Sequence, residues 1–220
     1  MMNNRYDYLK NIKSPTMSER GEMAGLQEQL YCKYKPNCLR DYLENMKKYL
    51  VSWISQETSF LSLNEKSPIF VDLNDFSNRY RYCQEDGNNI IRNIHEKIKL
   101  QDNVKGENIK THSYLWVSQR KDGMVVTVGK SSFNEKNDKL NDDLFLRLSV
   151  STGTANIILR SKFNDQIDSF NDYLVDYLSC GWIIPVPVDS EKEIGLLESE
   201  LGDYLIQKEI PILNFYSHHY

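Results

Sequence analysis

Between residues 39 and 54 the apolar side chains fall at steps of three and four: Leu39, Tyr42, Leu43, Met46, Leu50, Trp53 and Ile54. That spacing puts them on one face and predicts an amphipathic helix. A second stripe of Ile90, Ile91, Ile94 and Ile98 predicts one further helix, or two, because Gly87 beside Asp86 interrupts the pattern. The short apolar run Ile69-Phe70-Val71 fits a strand. Residues 1–30 are polar and broken by Ser14-Pro15, which reads as a loosely attached arm with a short helix. The polar stretch Lys105-Gly106-Glu107-Asn108 is the expected boundary between a mainly helical region, 1–108, and a second unit, 109–220.

Past that boundary the period changes from about 3.6 to 2. Tyr114, Trp116 and Ser118 alternate with Leu115 and Val117, and Arg120-Lys121-Asp122-Gly123 supplies turn residues. The β-branched run Met124-Val125-Val126-Thr127-Val128 then returns, so a hairpin is predicted. Leu144 to Leu148 fits the start of a helix, and Ile167 to Leu178 another, with Phe170, Leu174, Tyr177 and Leu178 on one stripe. Trp182-Ile183-Ile184-Pro185-Val186-Pro187-Val188 reads as a strand whose prolines assign it to an edge or an irregular position. A last helix spans about Lys192 to Lys208, with Ile194, Leu197, Leu201 and Leu205 inward, and Pro211 stops it. The fold class is therefore α+β: a small mixed sheet built on a hairpin and flanked by helices, behind a helical N-terminal region.

Composition narrows the setting. Hydrophobic residues make up 40% of the 220, enough for a core, and no apolar run approaches the ~18 residues a membrane span needs. The N-terminus shows no apolar leader segment, and Cys32, Cys38, Cys83 and Cys180 are scattered without metal-binding or redox spacing. A cytoplasmic protein with reduced thiols, without a membrane role, is expected. Net charge is −4, which does not advertise a nucleic-acid partner, so any such surface would be a local basic face. The first 110 residues carry 17 Lys and Arg against 15 Asp and Glu; the last 110 carry 10 against 16. Arg79, Arg81, Arg92 and Lys97, interleaved with Tyr80 and Tyr82, form a basic-aromatic cluster in the first half.

Four short motifs stand in order along the second half. They are Tyr114-Leu115-Trp116, then Thr127-Val128-Gly129-Lys130-Ser131, then Arg147-Leu148-Ser149, and finally Glu198 followed by Leu205-Ile206-Gln207-Lys208, Pro211 and Asn214. This arrangement resembles the GIY-YIG nuclease family over roughly the last half of the chain. The resemblance implies an endonuclease that hydrolyses phosphodiesters in double-stranded DNA with one Mg²⁺, of restriction type or associated with a mobile element. It implies a metal-holding carboxylate at Glu198, a phosphate-stabilising guanidinium at Arg147 and a hairpin tyrosine that activates water.

The residue types suit that chemistry. Mg²⁺ keeps most of its waters, so a single carboxylate is a usual anchor. Arginine presents a fixed fork to the charge that grows on phosphate. Lys130 would lie near the phosphate, and Gly129 would let backbone approach the substrate, with Ser131, Arg160, Lys162 and Asn214 as further substrate contacts. Two positions stay open. The hairpin tyrosine is Tyr114 or its place is taken by Trp116, and Thr127 stands where the family's second motif usually begins with tyrosine. Glu193 and Glu200 compete with Glu198. The N-terminal region is expected to add DNA-binding or homodimer contacts. An inactive module of the same fold that binds nucleic acid or protein is the alternative.

Overall fold

In the computed structural model, residues 2–13, 16–56, 68–72, 96–97, 113–134, 139–140, 178–186 and 191–212 are described. The stripe that begins at Leu39 forms helix α3, Pro36–Gln56, and buries Leu39, Tyr42, Met46, Leu50, Trp53 and Ile54. Its outward positions, including Arg40, Glu44 and Lys47, remain in solvent, as an amphipathic helix requires.

Two helices precede it where a loose arm was expected: α1, Met2–Lys10, and α2, Met17–Glu28. A capping box starts α2. Thr16 Oγ1 accepts the Glu19 backbone N–H at 3.3 Å, and Glu19 Oε2 accepts the Thr16 N–H at 2.8 Å. Arg5 bridges α1 to α2 through a two-pronged pair with Glu22 at 2.7 and 2.8 Å. Beneath it Leu9 and Met23 are buried together, with Ile206 from the far end of the chain packed against them. A π-helical turn, Gln29–Lys33, leads on into α3. The arm is docked because its few apolar residues meet on one side.

Strands β1 (Ile69–Asp72), β2 (Ser113–Arg120), β3 (Val125–Asn134), β4 (Lys139–Leu140) and β5 (Leu178–Val186) form one sheet in the order β1-β5-β2-β3-β4. Every strand pairing is antiparallel, so the sheet is not the mixed one expected. The reason is topological. β1 and β2 run the same way, but β5 runs opposite and lies between them. The one parallel contact among the described residues is an isolated bridge from Val125 to Ile212.

β5 is likewise not an edge strand. β1 pairs with it only from Asp72↔Cys180 to Ile69↔Ile183, so Pro185 lies beyond the end of β1 and has a neighbour on the β2 side alone. A proline is tolerated there because no ladder hydrogen bond to β1 is due. Leu178, expected to end a helix, opens β5; the other residues of that helix, and those expected near 90–98 and 144–148, lie outside the described residues except Glu96 and Lys97, which are helical.

The hairpin turn is fixed from behind. Gly123 has φ 101°, and a Cβ there would fall 1.6 Å from the Leu39 carbonyl oxygen of α3. Only glycine meets both demands. Gln119, wholly buried, ties the layers together. Its Nε2 donates to the carbonyls of Gly123 at 2.9 Å and Tyr42 at 3.4 Å, and its Oε1 accepts the Trp182 indole N–H at 3.0 Å. A buried amide would be costly unpaired; here it is nearly saturated.

The last helix, α4, is Glu191–Gln207. It ends in a Schellman motif: Ile210 N–H donates to Leu205 O and Glu209 N–H to Ile206 O, both at 2.9 Å. Glu209 takes the left-handed conformation at φ 59° that glycine usually fills. Buried side chains from Tyr31 and α3, through β1, β2, β3 and β5, to α4 and Ile212 form one continuous core. Residues on both sides of the 105–108 stretch contribute to it. None of the described helices is long and apolar enough to cross a membrane.

Candidate functional site

The pleat sorts the hairpin residues onto two faces. Tyr114 and Trp116 share one, as their spacing predicts. Leu115, Val117 and Gln119 share the other. Across the hairpin Tyr114 pairs with Ser131, Trp116 with Gly129, Ser118 with Thr127, and Leu115 with Lys130. Lys130 therefore belongs to the Leu115 face.

Among the described residues, that face meets α3 and α4. Gln119 reaches the α3 backbone from it. Lys130 reaches α4, where a Cβ added at Gly195 would lie 3.4 Å from the Lys130 ammonium. That distance is ordinary van der Waals contact, so the ammonium lies against the helix at this point. Glu198 stands three residues further along α4, one turn on and on the same side of the helix.

The α4 glutamates differ sharply in setting. Glu193 is exposed, and Glu200 is half-buried at a cleft whose lining includes Trp53, Asp203 and Tyr204. Glu198 is 4% exposed, in the stripe of Ile194, Leu197, Leu201 and Leu205. Carboxylates are almost never buried without a specific reason. Of the three competing glutamates, only Glu198 lies in the buried stripe. It offers a single carboxylate, and among the described residues no three His, Cys, Asp or Glu side chains gather as a preformed metal cluster. A single carboxylate suits Mg²⁺, which retains most of its water ligands.

The tyrosine is not brought to this place. Tyr114 is completely buried on the opposite face, and Trp116 is buried beside it. The space left by Gly129 is filled by the Trp116 indole: a Cβ at Gly129 would sit 2.3 Å from indole Cζ2. The close approach expected of this glycine is thus made by an indole. For Thr127 and Ser131 the described geometry is their backbone pairing alone. Arg147, Arg160, Lys162 and Asn214 lie outside the described residues, as do Arg79, Arg81 and Arg92 of the basic-aromatic cluster.

A charged cluster at the hairpin turn escaped sequence reading. Arg120, 2% exposed, donates to Glu28 Oε1 at 2.8 Å, to Asp122 through Nε at 3.0 Å and again through Nη2, and to Cys32 Sγ at 2.8 Å. Asp122 also accepts the Met124 backbone N–H at 3.1 Å. Burial pushes the Asp122 carboxyl up, but its hydrogen bond and charge pairing with Arg120 outweigh this and hold it below the ordinary carboxylate range. Arg-x-Asp across a tight turn was the available signal. The partner Glu28, 92 residues away, was not.

No protein family, curated protein or solved structure matches this chain.

Proposed function

We propose that the chain is a Mg²⁺-dependent DNA endonuclease of GIY-YIG type. The observation that carries this reading is the meeting of hairpin and last helix, where the Lys130 ammonium stands against Gly195, one turn from the buried Glu198. The motif order along the sequence supports it too. Glu198 would hold the ion, and a Mg²⁺ bound there would polarise the scissile phosphate and stabilise the leaving oxygen. Lys130 reaches α4 one turn from that carboxylate, where it would bind and orient a phosphate. By the resemblance, Arg147 adds a second cation. Tyr114 receives no proton-transfer role in this reading, because it lies on the other face of the sheet.

The test is nicking of supercoiled plasmid with and without Mg²⁺. Wild type should nick only with the metal. Glu198→Ala should lower the rate at least about a hundredfold with an unchanged circular-dichroism spectrum, and Lys130→Ala about tenfold or more. Undiminished cleavage by Glu198→Ala would overturn the assignment.

The burial of Tyr114 on the opposite face favours a second reading, a module that binds nucleic acid without cutting it. Retained oligonucleotide binding with no Mg²⁺-dependent product from plasmid or phage DNA would select it.

A further inference from the structure

We infer that the junction between α2 and α3 holds an unpaired DNA strand, with Lys33 and Lys35 on its phosphates and a base stacked on Tyr34. The inference rests on the reading of the chain as a DNA-acting protein and names where a strand would lie.

Three consecutive residues carry it. Tyr34 is 60% exposed, so a large aromatic ring stands in water at the exit of the π-helical turn. The Lys33 ammonium lies 5.4 Å from the centre of that ring. The Lys35 ammonium lies 5.1 Å from the centre of the neighbouring Tyr31 ring, whose phenol is packed into the core. Cations held beside aromatic faces provide a charged track with a stacking platform, the combination that binds single strands without sequence preference. Tyr31 anchors the platform, and Tyr34 presents it.

The charges are available. Lys33 has no carboxylate partner among the described residues. Lys35 has only Glu209 at 3.7 Å, with both side chains about half or more exposed (49% and 71%), a pair that a phosphate can displace. Among the described residues, another exposed tyrosine–cation pair, Arg5 over Tyr8, is a poorer candidate, since both prongs of Arg5 are committed to Glu22. Local charge agrees. From Lys33 to Lys48 the chain carries Lys33, Lys35, Arg40, Lys47 and Lys48 against Asp41 and Glu44, on a protein whose net charge is −4. A polyanion would be drawn to this stretch despite the acidic total.

The experiment is fluorescence anisotropy with labelled dT20 and with a duplex of the same length, using the full chain at several salt concentrations without Mg²⁺. Tyr34→Ala should weaken dT20 binding about tenfold, while Tyr34→Phe, which keeps the ring and loses the hydroxyl, should bind as wild type. In Lys33→Gln with Lys35→Gln, the slope of log K against log salt should be shallower by about 1.4, as loss of two phosphate contacts on a single strand implies. All three side chains are exposed, so thermal melting should be unchanged. Wild-type affinity in both the Tyr34→Ala and the double-lysine variants would overturn the inference, as would loss confined to the duplex or equal loss in Tyr34→Phe. Its failure is separable from failure of the nuclease reading. Plasmid nicking that survives with dT20 binding unaltered by these variants removes the strand site alone; dT20 binding lost in the variants of a protein that never nicks removes the nuclease alone.

Discussion

The indole of Trp116 covers Gly129 on the neighbouring strand, and a methyl group at Gly129 would fall 2.3 Å from indole Cζ2. Trp116 is enclosed by the core and has little room to move aside. Gly129→Ala should therefore destabilise the fold by roughly 1–3 kcal/mol through overpacking. Shortening the indole in Trp116→Leu with Gly129→Ala should recover part of that loss. Urea titrations of the two single variants and the double variant measure the coupling, and strict additivity would show that the two positions do not touch.

Asp122 and Arg120 set an acid limit on stability. The folded-state carboxyl of Asp122 is held below its ordinary value, so the interaction contributes fully above the unfolded-state pKa, about 3.9, and is lost as pH falls through the folded value. The melting temperature should hold through pH 5–7 and fall below about pH 4. In Asp122→Asn it should be lower at neutral pH and flatter in acid. Parallel curves for the two proteins would remove Asp122 from the acid response.

Glu209 occupies the left-handed position that closes α4, at φ 59°. Glycine adopts that conformation without the Cβ clash, so Glu209→Gly should add about 0.5–1 kcal/mol, less the small worth of the exposed Lys35 pair. The urea midpoint should rise with no change in slope. A lower midpoint would mean the Glu209 side chain contributes more than its exposure indicates.

Cys180 is buried in β5, and burial pushes its thiol up to about 12. At pH 8 it should resist iodoacetamide in the native protein and react once guanidinium has unfolded the chain. Peptide mass spectrometry reads the outcome. Rapid labelling of native Cys180 would be incompatible with an inner strand.

Periodicity made several of the described elements legible. The apolar stripe of α3, the period-2 alternation of β2, the turn glycine at 123 and the stripe of α4 each translate directly into structure, since each is a local pattern with a local cause. What stayed hidden was pairing at a distance. Nothing near Ile69 says that its strand will add to one 114 residues later, and nothing near Arg120 names Glu28. The docked α1–α2 pair was missed for a different reason. Thr16 and Glu19 do spell a capping box, but the Ser14-Pro15 just before it reads as a break in the chain. At the candidate site, motif order led to Lys130 and Glu198 on adjoining elements. It could not tell which face Tyr114 would take, because that depends on the register of Lys130 opposite Leu115.

β1 pairs with β5 through four residues, and Phe70 stacks edge-on to Trp182 across that seam with ring centres 4.9 Å apart. A fragment starting at residue 109 would keep every motif of the second half yet shed this strand. β5 would then present a bare row of amide and carbonyl groups with an uncovered indole, an open template for self-association. Dissecting the chain into transferable parts at the apparent linker should thus give sticky, poorly soluble material, and portable fragments should begin upstream of Ile69.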